Sequence, residues 1–320
     1  MQFGSLLPEI IFNAVSSQGY QPTGALLALN SYENRVYEIG LEEESPIVAK
    51  FYRPGRWSLE TIADEHRFIA ALAEAEIPVV SPLSLKKHVP GIKTLGETGG
   101  LFYCFYPKFR GREKAEIVGE DLEWLGRTLA RIHNVGGHLK AGHRLTLTPQ
   151  TYGYENLHFI LAQEFIPADL QSNLEALLSQ ALKTVEPFFN NLEMIPVHGD
   201  CHPGNILWKA DGPYLLDFDD MVVAPPVQDV WMLFSGDASE RKEKEKDFFK
   251  GYEMFRPFDR RTLILSEPLR TLRMIRHAAW IGQRYAEPAF QRAFPYYEQR
   301  RFWEEFLQSI REQISLLQEE

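Results

Sequence analysis

Cysteine is nearly absent from this chain. Cys104 and Cys201 are the only two, so no disulfide framework can be drawn and a reducing compartment is expected. Long apolar runs are missing as well: no stretch of about 18 residues is both uncharged and uniformly apolar, so no membrane span is expected. The first residues carry no cationic stretch followed by an apolar run, and no secretory leader is expected. Cations are in deficit. The 34 Lys and Arg face 44 Asp and Glu, a net charge of -10, which argues against general affinity for nucleic acid or anionic membranes. Internal repeats and low-complexity tracts are lacking too. What is present is a globular composition: 44% of residues are apolar, which argues against disorder, and 320 residues suffice for two lobes around a substantial core. The expectation is a soluble, cytoplasmic, monomeric protein.

One stretch carries most of the chemical information. His198-Gly199-Asp200-Cys201-His202-Pro203-Gly204-Asn205 is followed by Leu215-Leu216-Asp217-Phe218-Asp219. Asn205 lies five residues after Asp200, the spacing of a phosphoryl-transfer loop whose Asp takes the acceptor's proton and whose Asn holds magnesium. Between Asn205 and Asp217, two short apolar runs flank Asp211-Gly212, a hairpin signal. A hairpin returns the chain to its starting edge, so Asn205 and Asp217 should end side by side. Two oxygen ligands on adjacent chain ends suit Mg2+, which keeps several waters and takes its remaining ligands from nucleotide phosphates.

Local patterns place these residues in a larger frame. Pro8 to Ser17 reads as a helix, with strands at Ala25-Leu29, Arg35-Ile39 and Ile47-Tyr52. A helix should run from Leu59 to about Ala75, capped by Ser58 and stopped by Pro78, with further strands at Val79-Leu85 and Leu101-Phe105. Beyond this the periodicity is helical: Asp121 to Val135, Leu174-Val185, Val227-Leu233, Glu245-Tyr252, Ser266-Tyr285 and Glu298-Leu317. The expectation is an α+β, bilobal arrangement: residues 1–106 as a small antiparallel-sheet N-lobe with one main helix, residues 107–320 as a larger, mostly helical C-lobe, and a cleft between them. Pro107 cannot donate to a sheet and suits the end of the last N-lobe strand.

A nucleotide site also needs a lysine on its phosphates and an acid to orient that lysine. Lys50, in Ile47-Val48-Ala49-Lys50-Phe51, is the candidate lysine. Glu65 is the candidate acid, because it lies three residues after Ile62 and four before Ile69, on the apolar face of its helix. Glu60 and Asp64 are assigned to the opposite face with Arg67. A glycine-rich phosphate loop is another absence. Leu29-Asn30-Ser31-Tyr32-Glu33-Asn34-Arg35-Val36-Tyr37 takes its place, and Ser31 is the candidate for direct phosphate contact. A zinc site on His198, Cys201 and His202 is disfavoured, since Gly199, Pro203 and Gly204 break the helix it would need. His198 is expected to be structural and Cys201 a packed thiol. Asp229 should either cap a helix or bond back to the 198–205 loop. A functional role for Asp219 or Cys201 stays open. In the 266–285 helix, Arg273, Arg276, Trp280 and Arg284 share one face, which suits an anionic acceptor if it borders the cleft and is otherwise a solvated basic face.

With Lys50, Glu65, Asp200, Asn205 and Asp217 in order, the chain resembles the kinase-superfamily branch of choline kinases and aminoglycoside phosphotransferases. Its His-Gly-Asp-x-His-Pro-Gly-Asn loop is typical of that branch. Within it, Asn30 to Tyr37, Lys50-Phe51-Tyr52-Arg53-Pro54, His198 to His202 and Val227 to Leu233 resemble the bacterial stress response kinase A (YihE/RdoA-like) family over nearly the whole chain. The resemblance implies a protein-kinase-like fold and a cytoplasmic, ATP-dependent serine/threonine protein kinase linked to stress survival, itself a phosphoprotein. It implies Asp200 as proton acceptor, Asn205 and Asp217 as magnesium ligands, and Ser31 as an ATP-site residue. The alternative is a small-molecule kinase of the same fold, acting on an amino alcohol, a sugar or a homoserine-like acceptor. Phe218 is followed by Asp219 rather than Gly, and Pro225-Pro226 comes too soon after Asp217 for a long activation segment.

Overall fold

The computed structural model describes residues 6–234 and 236–319. In chain order the main elements are α1 (Pro8–Ser17), β1 (Pro22–Leu29), β2 (Arg35–Leu41), β3 (Ile47–Phe51), α2 (Leu59–Glu74), β4 (Gly96–Thr98), β5 (Leu101–Pro107) and α3 (Glu120–His138). There follow α4 (Glu155–Leu161), α5 (Ala168–Val185), β6 (Ile195–Val197), β7 (Ile206–Lys209), β8 (Gly212–Leu215) and β9 (Val222–Ala224). The C-terminal part holds α6 (Ala238–Tyr252), α7 (Ser266–Arg284), α8 (Pro288–Ala293) and α9 (Arg300–Glu319). Among the described residues no helix is long and apolar enough to cross a membrane. The chain packs as two compact units. One comprises Met1–Arg144, Asp200–Met221 and Met232–Phe258; the other comprises Leu145–Gly199, Val222–Trp231 and Asp259–Glu320.

The first unit is built on an antiparallel sheet of order β1-β2-β3-β5-β4. Strand alternation assigns its two faces. Ile47, Ala49 and Phe51 of β3 join Ile11, Ala14 and Val15 of α1 in one apolar cluster. Cys104, the cross-strand partner of Lys50, joins Tyr52 and Ile62 of α2 in another. Helix α2 starts where Ser58 Oγ accepts the Thr61 N–H at 3.2 Å, as expected of that cap. It ends where Glu76 turns left-handed at φ 54°. The strand expected over Val79-Leu85 does not form. Pro78 and Pro82 remove two donors there, and the segment makes isolated contacts instead, such as Val80 N–H to the Leu215 carbonyl at 2.9 Å. Helices α3 and α6 pack with their backbones close together. A Cβ on Gly126 would strike the Phe248 carbonyl, and one on Gly251 would strike the Glu123 carbonyl.

In the second unit, β6 pairs antiparallel with β9, and α5 and α7 pack against α9. Tyr297, fully buried, donates to the Ala278 carbonyl at 2.7 Å. The helix expected over Val227-Leu233 is instead two short 3-10 turns, Pro226–Asp229 and Trp231–Leu233. The break falls at Val230, next to Asp229, whose carboxylate is turned onto the His198 and Gly199 N–H groups.

Candidate active site

Lys50 lies on a central strand, facing α2. Its Nζ sits 3.4 Å from Glu65 Oε1, 3.2 Å from Asp217 Oδ1 and 3.3 Å from Asp219 Oδ1. The structure therefore brings Lys50, Glu65 and Asp217 together from separate parts of the chain, with Asp219 beside them. Burial opposes the Lys50 charge, but Asp219, Glu65 and Asp217 together outweigh it and hold the amine well above its usual range. Asp219 is likewise buried, and Arg56, Lys50 and Arg144 keep its carboxyl below the usual carboxylate range. Asp219 Oδ1 has no hydrogen-bond partner, so its 3.3 Å approach to Lys50 is an ion pair without hydrogen-bond geometry. Glu65 is fully buried and also accepts from the Tyr52 hydroxyl at 3.1 Å.

The loop that replaces a glycine-rich turn is held by side chains. Ser31 Oγ accepts the Asn34 N–H at 3.3 Å, which closes a local turn and leaves the hydroxyl hydrogen out of that bond. Asn34 is buried; its Nδ2 donates to Asp219 Oδ2 at 3.0 Å and its Oδ1 accepts the Arg53 N–H at 3.1 Å. The Arg53 guanidinium donates to the Glu33 and Tyr32 carbonyls at 2.9 and 3.0 Å. Arg56 pairs with Asp219, with Asp220 at 2.6 Å and with Glu33 at 3.2 Å. The loop, the β3–α2 connection and residues 217–220 thus form one charged network.

In the second unit, both oxygens of Asp229 accept backbone N–H groups, from His198 and from Gly199, each at 2.8 Å. Gln228 Nε2 donates to the Gly199 carbonyl at 2.8 Å, and Gly199 takes φ 87°, which requires glycine. Asp229 therefore bonds back to the loop rather than capping a helix. The chain then continues into Asp200. Its carbonyl accepts from Asn205 Nδ2 at 2.9 Å, and its Oδ2 lies 3.5 Å from both Asn205 Nδ2 and His202 Nε2. His202 Nδ1 accepts the Gly204 N–H at 3.1 Å, and Cys201 is fully buried. Among the described residues no group of His, Cys, Asp and Glu could hold a metal by itself.

The hairpin forms, with Ile206 opposite Leu215 and Lys209 opposite Gly212, so the turn is Ala210-Asp211, one residue earlier than expected. The Leu216 N–H donates to the Asn205 carbonyl at 3.1 Å, so the two strand ends lie together. Asp217 follows with φ 61°, a left-handed turn that Asp tolerates better than most residues. Its side chain is 50% exposed although it touches Lys50. Asn205 spends its NH2 group on Asp200, which leaves the amide oxygen as its donor atom. The candidate donor set would thus be an amide oxygen and a half-exposed carboxylate. It fits a hard divalent cation that draws its other ligands from phosphates and water, and it does not fit zinc.

Sequence reasoning missed several members of this network. Asp64, assigned to the outer face of α2, is fully buried. It accepts the His143 N–H at 2.8 Å and pairs with Arg67. Glu60 is exposed as expected. Arg56 and Arg144 lie in segments without periodicity, so no pattern marked them. In the second unit Arg276 stacks on Tyr152 at 3.9 Å and Arg284 packs on Trp280 at 5.6 Å, while Arg273 is exposed.

Residues 26–263 match the model of the phosphotransferase enzyme family. Stress response kinase A of Escherichia coli (strain K12) is 34% identical over 318 residues, covering 99% of this chain and 95% of that one. Serine/threonine protein kinase RdoA of Salmonella typhimurium (strain LT2) shows the same 34% identity over 318 residues, with 99% and 95% coverage. Among solved structures, amicoumacin kinase hAmiN in complex with AMP-PNP, Ca2+ and Ami superposes with TM-score 0.71 at 20% identity, covering 94% of this chain and 93% of that one. A microcompartment-associated aminopropanol kinase gives TM-score 0.68 at 17% identity, with 97% and 96% coverage. These two share the α+β kinase-like fold. The chain belongs to the phosphotransferase enzyme family, within it to the stress response kinase A family, and is an ATP-dependent phosphotransferase.

Proposed function

We propose that the chain is a serine/threonine protein kinase that transfers the ATP γ-phosphoryl group to a protein hydroxyl, with Mg2+ held by Asn205 and Asp217. The observation that carries the reading is the meeting of Lys50 with Glu65 and Asp217, with Asn205 on the neighbouring chain end. In this reading residues 1–106 form the nucleotide-binding lobe and residues 107–320 the lobe with the catalytic loop. Lys50, oriented by Glu65, binds the α- and β-phosphates in place of one of its present carboxylate partners. The Ser31 hydroxyl and neighbouring loop N–H groups face the phosphates. Asp200 orients the acceptor hydroxyl and takes its proton as the phosphoryl group transfers. Asn205 and Asp217 would hold the cation, which when bound would supply positive charge against the charge that develops on the transferring group. Catalysis is then positioning and charge neutralisation, since a loose transition state needs little covalent help. The name of the Salmonella relative supports a protein acceptor. The two buried thiols, Cys104 and Cys201, suit the cytoplasm.

The test is incubation with γ-labelled ATP and Mg2+, with and without a generic protein acceptor, beside Asp200→Ala and Asp217→Ala. The expected result is label on serine or threonine, lost in both variants, with nucleotide binding kept only in Asp200→Ala. Unchanged turnover in Asp200→Ala sinks the assignment. Nucleotide binding without protein labelling moves the acceptor to a small alcohol.

A further inference from the structure

Arg144 has no part in the chemistry above, yet its side chain is completely buried (0% exposed). Its planar fork spans two elements of the site. Nη2 donates to Glu65 Oε2 at 2.9 Å and Nη1 donates to the Asp219 carbonyl at 2.7 Å, with the guanidinium 5.1 Å from the Trp57 ring. The residue before it is fastened to the same helix. The His143 N–H donates to Asp64 Oδ2 at 2.8 Å, and the His143 carbonyl accepts from Thr61 Oγ1 at 3.1 Å. Thr61, Asp64 and Glu65 stand at i, i+3 and i+4, so one face of α2 grips residues 143–144 throughout.

We propose that Arg144 is a positioning residue that locks Glu65 to the Asp217–Asp219 segment and keeps the Lys50–Glu65 pair permanently assembled. This rests on the reading of Lys50, Glu65 and Asp217 given above. In protein kinases the lysine–glutamate pair and the metal-binding Asp must both be in place, and a phosphorylated activation segment controls that state. Here Pro225-Pro226 follows Asp217 too closely for such a segment. Arg144 supplies a fixed link instead. With Oε2 held by the guanidinium, the Glu65 carboxylate presents Oε1 to Lys50 at 3.4 Å and to Tyr52 at 3.1 Å. An outward swing of Glu65 would strip a buried guanidinium of its carboxylate, which disfavours an inactive state of that kind. Lysine keeps the charge but lacks the fork that reaches both partners.

A double-mutant cycle tests the link. The kcat/KM for ATP is measured for the wild type, Arg144→Lys, Glu65→Gln and the double variant, with Asp217→Ala in parallel and unfolding followed for each. If Arg144 acts through Glu65, Arg144→Lys lowers kcat/KM by about 10²-fold in the wild-type background and adds little in Glu65→Gln. Equal factors in both backgrounds overturn the proposal, because a merely structural arginine gives multiplicative losses. Equal turnover in the wild type and Asp217→Ala overturns the underlying site reading, and this inference with it. Should Arg144→Lys not fold, Thr61→Val goes through the same cycle. It frees the His143 carbonyl but leaves the fork intact, so the expected loss is only about fivefold, one hydrogen bond's worth, again absent in Glu65→Gln. Equal factors there likewise overturn the proposal.

Discussion

His66, beside Glu65 on α2, makes a pH-dependent prediction that isolates one side chain. It is 4% exposed, with Nε2 at 3.0 Å from the Tyr52 hydroxyl and Nδ1 at 2.6 Å from Thr94 Oγ1. The Tyr52 hydroxyl donates to Glu65, so it accepts from Nε2–H, and Thr94 donates to Nδ1. Both ring nitrogens are thus satisfied by a neutral imidazole. Burial, then the charges of Lys50 and Arg144, push its pKa from 6.5 down to about 3. The unfolded chain takes up a proton near pH 6.5 and the folded chain only near pH 3. Between these values the unfolded state binds more protons, so stability rises with pH. The contribution is complete above 6.5 and falls by about 1.4 kcal/mol per pH unit below it. From about pH 7 to about pH 5 this amounts to roughly 2 kcal/mol. His66→Gln keeps a donor and an acceptor but does not titrate. Urea unfolding of both proteins at the two pH values should show the wild type losing about 2 kcal/mol more than the variant. Equal losses would refute the claim that His66 is buried and neutral.

Two further changes probe the frame around the site. Asp229→Asn leaves one oxygen for two buried N–H groups, so the urea midpoint should fall by the equivalent of about 1–3 kcal/mol with an unchanged m-value; an unchanged midpoint would mean that the His198 and Gly199 bonds contribute nothing. Gly251→Ala sets a methyl against the Glu123 carbonyl across the α3–α6 contact. Overpacking of about 1–3 kcal/mol should exceed the helix-propensity gain of about 1 kcal/mol, so the thermal midpoint should drop, and a rise would show that the two helices can separate at no cost.

Much of the candidate site was legible in the chain because it is local. The Asp200–Asn205 spacing and the hairpin between Asn205 and Asp217 depend on neighbouring residues, and so does the Ser58 cap of α2. Glu65 could be chosen because helical period places it on the apolar face. The same rule misplaced Asp64. Amphipathicity reports apolar packing, whereas Asp64 is buried by hydrogen bonds to a loop far along the chain, and no periodicity encodes that. The strand expected over Val79-Leu85 failed for a related reason: apolar content was present, but two prolines denied it a ladder.

What the sequence determined by itself was therefore the candidate groups and most of the elements that carry them, since spacing, capping and turn chemistry act within a few residues. Tertiary structure alone decided how the charges are shared. Lys50 meets Asp219 as well as Glu65 and Asp217, Asn34 and Arg56 tie the β1–β2 loop to residues 219–220, and Arg144 joins Glu65 to the Asp219 backbone. Asn34, Arg56, Arg144 and Asp219 lie outside the α-helices and strands, and the pairing of Arg56 and Lys50 with Asp219 and of Arg144 with Glu65 follows from the cost of leaving a buried charge without a counter-charge.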